Sequence, residues 1–308
     1  MLRYAQHDST HPLTVYSNRK DFMHPILFRI GPVVVKSYGV LLALAFGIGL
    51  FISLARAKKK KIKPEIILDV FLVILISSII GSRFFYVIFH LEEFQGRFWD
   101  TVNPFQSSGE IGIAGLSMVG GVVLATFSVL LFLYFKKLNV WKIADLLSPA
   151  FPLGLAITRV GCFLNGCCFG KPTLSGCGVV FPPDSAAGYF FPHTSLYPTQ
   201  LFSSFLGGLI FVILILAERR KTFDGFTSFL MLMLFSIDRF IIDFFRYYEE
   251  SMVFLHWGKI DISVNQAVLG LVFLFSFFMW NFLKNKAKRI IGHEPAEGGS
   301  RHKAGQDS

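Results

Sequence analysis

Seven stretches of this 308-residue chain are apolar enough to cross a bilayer, near residues 38–55, 65–90, 111–135, 146–170, 198–217, 225–248 and 262–283. A hydrocarbon core of about 30 Å takes roughly 20 residues of helix. It offers backbone amides no water, so a spanning segment must satisfy its own N–H and C=O groups, as a helix does. The first, third, fifth and seventh stretches carry no charged residue. The fourth is interrupted by Pro149, Pro152 and several glycines. It reads as a broken helix lining a protein interior, where irregular backbone is tolerated. The expected fold is an all-α polytopic membrane protein of seven transmembrane helices with a broken fourth span. Composition agrees, since 53% of residues are hydrophobic and only 16% charged, where a soluble domain has roughly 25% charged.

Charge sorts the loops. Arg56 and Lys58 to Lys61 follow the first stretch, Lys136 and Lys137 the third, Arg219, Arg220 and Lys221 the fifth, and Lys284, Lys286, Lys288 and Arg289 the seventh. The alternate loops hold only Arg97, Lys171 and Lys259. By the positive-inside rule the N-terminus lies outside and the C-terminus in the cytoplasm. Against that rule, Arg3, Arg19, Lys20, Arg29 and Lys36 fall on the outer side. The net charge of +10 is largely this cytoplasmic collar facing anionic lipid, so no nucleic-acid partner is expected. Residues 1–22 are polar and patternless and read as an N-terminal extension that need not be native, with Met23 as an alternative start. Residues 23–290 form the seven-span unit, and 291–308 read as a disordered cytoplasmic tail.

Four arginines sit within the apolar stretches: Arg83, Arg159, Arg239 and Arg246. A cation in hydrocarbon costs at least about 2.5–3.5 kcal/mol, which marks such residues as functional candidates. All four fall on the second, fourth and sixth stretches, which run from inside to outside. At 1.5 Å per residue, Arg159 and Arg239 lie about 20 Å from the inner end, and Arg83 and Arg246 roughly 27 and 31 Å along. The cations therefore gather between the bilayer middle and the outer surface. For Arg83 and Arg246 the competing account is snorkelling at a helix end. Arg239, Asp243 and Arg246 are spaced to share one helical face. One carboxylate cannot neutralise two guanidiniums, so the face suits an anion unless Asp238 or Asp69 closes an ion-pair ladder. In a bilayer that anion is the phosphate of a lipid.

The segment Arg159-Val160-Gly161-Cys162-Phe163-Leu164-Asn165-Gly166-Cys167-Cys168-Phe169-Gly170 resembles the signature of the bacterial prolipoprotein diacylglyceryl transferases, G-R-x-G-N-F-x-N-G-E-x-x-G. Thr158, Cys162 and Cys167 depart from it, at the family's Gly, Asn and Glu positions. Other pieces follow in the family's order: Tyr38-Gly39, Gly81-Ser82-Arg83 with Tyr86, Gly115 to Gly121, Ala144-Asp145 through Leu155, Tyr197 to Leu201, Arg239 to Arg246, and Asn265-Gln266. The resemblance covers roughly residues 24–285.

It implies a transferase that moves a diacylglyceryl group from phosphatidylglycerol to the lipobox cysteine of a prolipoprotein signal peptide, in the bacterial inner membrane and with no cofactor or metal. Arg159 and Arg239 become phosphate ligands and, with Tyr38, the catalytic candidates. Arg246, Asp243, Ser117, Asn165, Gly120, Gly121, Gly170 and Arg83 become substrate-binding candidates. The glycines alone are explained equally well by helix packing. The proton acceptor is unassigned, because Val119 stands at the family's His position, and His90 and His193 match no motif.

The four cysteines, Cys162, Cys167, Cys168 and Cys177, cluster on the outer side, a compartment that permits disulfides. Structural disulfides, a redox-active vicinal pair, a zinc site and free thiols all stay open. The cluster supports a competing reading as a membrane thiol–disulfide oxidoreductase, beside a paralogous lipid-modifying transferase with another acceptor. An anion transporter would want two mirrored broken helices, and the sequence offers one.

Overall fold

The structure is a computed structural model that describes residues 23–30, 33–94, 117–248, 253–257 and 260–292. The N-terminal extension, Gly115, the start of the third apolar stretch and nearly all of the expected tail lie outside the described residues. A hairpin of β1 (Ile26–Ile30) and β2 (Val33–Lys36) runs directly into α1 (Ser37–Lys59). Then come α2 (Pro64–Phe89), a 3-10 turn at Leu91–Phe94, α3 (Met118–Phe135), α4 (Val140–Leu147) and α5 (Ala150–Leu164). A compact excursion of β3 (Val179–Val180), α6 (Ala186–Phe190) and β4 (Ser195–Leu196) leads to α7 (Thr199–Ala217) and a 3-10 turn at Glu218–Arg220. The chain continues through α8 (Phe226–Phe245), the hairpin β5 (Val253–Trp257) and β6 (Ile260–Ser263), and α9 (Val264–Gly292).

The protein is mostly helical. Among the described residues six helices are long and apolar enough to cross a membrane, with Val140–Leu164 counted as one. α8 falls outside that set; its 20 residues include Asp238, Arg239 and Asp243. Three short antiparallel ladders, β1–β2, β3–β4 and β5–β6, add to the helical frame. Each sits where the chain leaves or enters a long helix, and pairing satisfies backbone groups that the helices no longer hold. The fourth apolar stretch starts earlier than expected, at Val140. It is two helices, with Ser148 and Pro149 between them. Pro149 has no N–H to extend α4, and Ser148 Oγ donates to Ala144 O at 2.7 Å.

The helices meet at two ends of different character. At one end α1, α4, α7 and α8 are locked by buried polar contacts. Arg56 donates to Leu146 O at 2.9 Å and Asp145 O at 3.1 Å, and pairs with Glu218. Asp145 is fully buried. Its carboxylate accepts from Gly225 N, Ser228 N and Ser228 Oγ, each at 2.8 Å, and pairs with Lys221 at 3.0 Å. Two apolar clusters, one around Ile67 and Leu146 and one around Val70 and Ile143, fill this half. Small residues bring the helices close: a Cβ at Gly81 would collide with Gly120 O, and a Cβ at Gly161 would sit 3.2 Å from Tyr38 Cα. At the other end lie the three ladders, Tyr38 at the start of α1, and the loop after α5.

Candidate active site

The site begins with how α5 stops. Gly166 adopts φ +65°, a conformation only glycine takes without strain. Its N–H donates to Phe163 O and the N–H of Cys167 donates to Cys162 O, both at 3.1 Å. This pair of bonds is the Schellman closure of a helix C-terminus. The reversal folds Cys167 and Cys168 back over the last turn of α5. A Cβ at position 166 would collide with Ser185. The first turn of α7 pins the loop, with Gln200 Nε2 donating to Cys167 O at 2.7 Å and Thr199 Oγ1 to Cys168 O at 3.1 Å.

Gly170 then forms an antiparallel bridge with Arg246. The N–H of Lys171 donates to Phe245 O at 2.8 Å and that of Tyr247 to Phe169 O at 3.3 Å. A Cβ at Gly170 would stand 2.6 Å from Tyr197 O and 2.7 Å from Phe245 O, so only glycine fits. This contact changes the reading of Arg246. It does not continue the helical face of Arg239 and Asp243. α8 ends at Phe245, and Arg246 is its C-cap in extended backbone, drawn off the helix by the Gly170 pairing.

Three of the four expected arginines are brought together. The charges of Arg159 and Arg246 both act on Arg239, and those of Arg239 and Arg159 act on Asp238. Arg239 is buried, 6% exposed. Arg239 Nη1 and Arg159 Nε are buried with no acceptor. Among the described residues, none of these three arginines forms an ion pair. Asp243, expected to pair with either neighbour, instead accepts from Tyr248 OH at 2.8 Å and from Asn265 Nδ2. The ladder is not closed: Asp238 is buried with both oxygens unpartnered, and Asp69 is exposed on α2. Three guanidiniums face two buried carboxylates, a surplus of positive charge that an anion would neutralise. Tyr38 lies within electrostatic reach of Arg159 and of the thiols.

The remaining candidates take other places. Arg83 is on α2, its guanidinium 5.8 Å over the Tyr86 ring. Ser117 caps α3, its Oγ accepting from Gly120 N at 3.4 Å while its own N–H donates to Ser82 O at 2.9 Å. Gly120 and Gly121 press α3 against Phe85 and Ser82 of α2. Asn165 is the C-cap of α5. His90 stacks on Tyr86 with ring centroids 4.2 Å apart, His193 is exposed at φ +57°, and Val119 is exposed on the first turn of α3.

All four cysteines are unpaired. The sulfurs of Cys162, Cys167 and Cys168 lie within 4.8 Å of one another. Cys177 stands outside that group, exposed, its Sγ 3.1 Å from Ser175 Oγ. Sequence reasoning did not single out Tyr248, and it named Gln200 and Gln266 only as parts of matching motifs, without a role. The last has a legible signal: Ser263 and Gln266 are three apart ahead of an apolar run, the capping-box spacing. Their reciprocal bonds, 2.9 and 3.1 Å, start α9, and Gln266 also donates to Phe240 O at 3.2 Å.

Comparison with known proteins identifies the family. A family model described as prolipoprotein diacylglyceryl transferase matches residues 25–281. A phosphatidylglycerol–prolipoprotein diacylglyceryl transferase of Clostridium botulinum (strain Loch Maree / Type A3) is 29% identical over 267 residues, 87% of this chain and 100% of the relative. The enzymes so named from Prochlorococcus marinus strains NATL1A and SARG are 32% identical over 72% of this chain and 78% of the relative, and 34% identical over 71% and 77%. With the match spanning most of its length, the chain belongs to the prolipoprotein diacylglyceryl transferase family.

Proposed function

We propose that this protein transfers the diacylglyceryl group of phosphatidylglycerol to the lipobox cysteine of prolipoproteins in a bacterial inner membrane. The observation that carries the reading is the cluster of buried Arg239 with half-buried Arg159 and Arg246, which holds no ion-pair partner among the described residues. The acceptor sulfur attacks the glyceryl carbon that bears the phosphate oxygen. A C–S bond forms and the C–O bond breaks. The electron pair leaves on the phosphate oxygen of glycerol phosphate, and the thiol proton, lost from sulfur, is taken up by that phosphate. Charge develops on oxygens that guanidiniums hold bidentately. In a site shielded from water, such stabilisation is usually the largest catalytic contribution.

α8 is the sixth of seven spans in this reading. Its charges Asp238, Arg239 and Asp243 are buried within the protein, while Ile237, Phe240, Ile241 and Phe244 are exposed, a face suited to lipid. Pro149 breaks the fourth span. The basic ends of α1, α3, α7 and α9 lie in the cytoplasm, so the arginine end opens to the outer leaflet. Phosphatidylglycerol reaches it sideways, and the signal peptide brings its thiol from the outer face.

The test is reconstitution in phosphatidylglycerol vesicles with a lipobox peptide, read by mass spectrometry. The wild type is expected to yield the diacylglyceryl thioether and to rescue a strain lacking its own transferase. Arg159→Ala is expected to lower transfer by about 100-fold or more. Full activity in that variant would remove Arg159 from the site. A wild type that transfers nothing but oxidises dithiols would replace this reading with the oxidoreductase.

A further inference from the structure

We infer that Cys162, Cys167 and Cys168 form a three-thiolate site for a thiophilic metal ion of the zinc and cadmium class. Their sulfurs lie within 4.8 Å of one another. Zinc–sulfur bonds of about 2.3 Å in tetrahedral geometry place sulfurs roughly 3.8 Å apart. Small side-chain rotations close that difference.

The backbone builds the cluster. The left-handed turn at Gly166 returns Cys167 to Cys162, and the Cys167 N–H is bonded to Cys162 O at 3.1 Å. Cys168 itself is held at φ +59°. For a residue with a Cβ that conformation is strained and persists only where the surroundings impose it. Here the hydrogen bonds from Gln200 and Thr199 to the carbonyls of Cys167 and Cys168 do so. Cys162 is 6% exposed and its two partners are half-buried, so an ion would be shielded from bulk solvent.

Charge also balances. Three thiolates around a divalent ion leave a single negative charge. Arg159 and Arg246 act electrostatically on Cys168 and offset it. A disulfide would consume two sulfurs and strand the third. Three protein ligands leave the fourth position of a tetrahedral ion for water or an incoming thiol.

The experiment uses the full chain in detergent, reduced, stripped with chelator and then dialysed against zinc. About one zinc ion per chain is expected to remain, and native thiol titration is expected to find Cys177 reactive and the other three shielded until chelator is added. Cadmium in place of zinc is expected to give thiolate-to-metal charge-transfer absorption. Cys162→Ser, Cys167→Ser and Cys168→Ser should each weaken binding by more than the roughly 10–100-fold that outer partners cost. Cys177→Ser should bind as the wild type does. A reduced wild type that retains no zinc, zinc retention by Cys168→Ser, or cadmium binding without that absorption would each overturn the site. Metal content is read without lipid or peptide, so its failure is distinct from failure of the transferase reading.

Discussion

Arg239→Ala is expected to lower diacylglyceryl transfer by about 10²–10³-fold, the loss that follows removal of one preorganised donor from a developing anion. The side chain is buried, its Nη1 has no acceptor, and it forms no ion pair among the described residues. A guanidinium kept in that state contributes little to folding. The variant should therefore melt in detergent within a few degrees of the wild type. Arg239→Lys keeps the charge but loses the planar fork, so an intermediate rate is expected. Initial rates at saturating lipobox peptide, read beside the melting temperature, separate the two roles. A large fall in melting temperature with an unchanged rate per folded molecule would make Arg239 structural.

Asp145→Ala is expected to have the opposite signature: a large loss of stability and little loss of rate per folded molecule. Asp145 gathers the N–H groups of Gly225 and Ser228, the Ser228 hydroxyl and Lys221 at the end of the bundle away from the arginines. Removing the carboxylate leaves a buried cluster of donors without an acceptor, a change that costs about 3–5 kcal/mol. Asp145→Asn keeps one acceptor and sets an amide N–H against one of the backbone N–H groups, so it should fall between. Thermal unfolding in detergent measures the order. An Asp145→Ala protein as stable as the wild type would show that the junction of α4 with α8 is held by other contacts.

Much of the helical frame was legible in the sequence, because a bilayer-length apolar run leaves the backbone few alternatives. The gathering of Arg159 and Arg239 was expected for a related reason: the alternation of basic loops gave each stretch an expected direction and each cation an expected depth. What was not legible depends on pairings between distant segments. Arg246 leaves its helix because Gly170 pairs with it, and no periodicity in 225–248 announces that. Arg56 looked like one more residue of a solvated basic run, yet it is 8% exposed and bonded to the carbonyls of α4. Asp145 appeared only as part of a matching string. The hairpins were hidden because an apolar strand beside an apolar helix changes period without changing composition. The β-branched run Val33-Val34-Val35 was the available sign.

The bridge between Gly170 and Arg246 has a mechanical meaning. Two peptide hydrogen bonds, at 2.8 and 3.3 Å, join the chain after the cysteines to the cap of α8, and the same cap carries a guanidinium of the cationic cluster. A phosphate that pulls on that guanidinium pulls on the peptide strand beside the thiols. In the proposed reading, a phosphate held by Arg246 would be tied to the strand after the cysteines through backbone rather than through side-chain contacts.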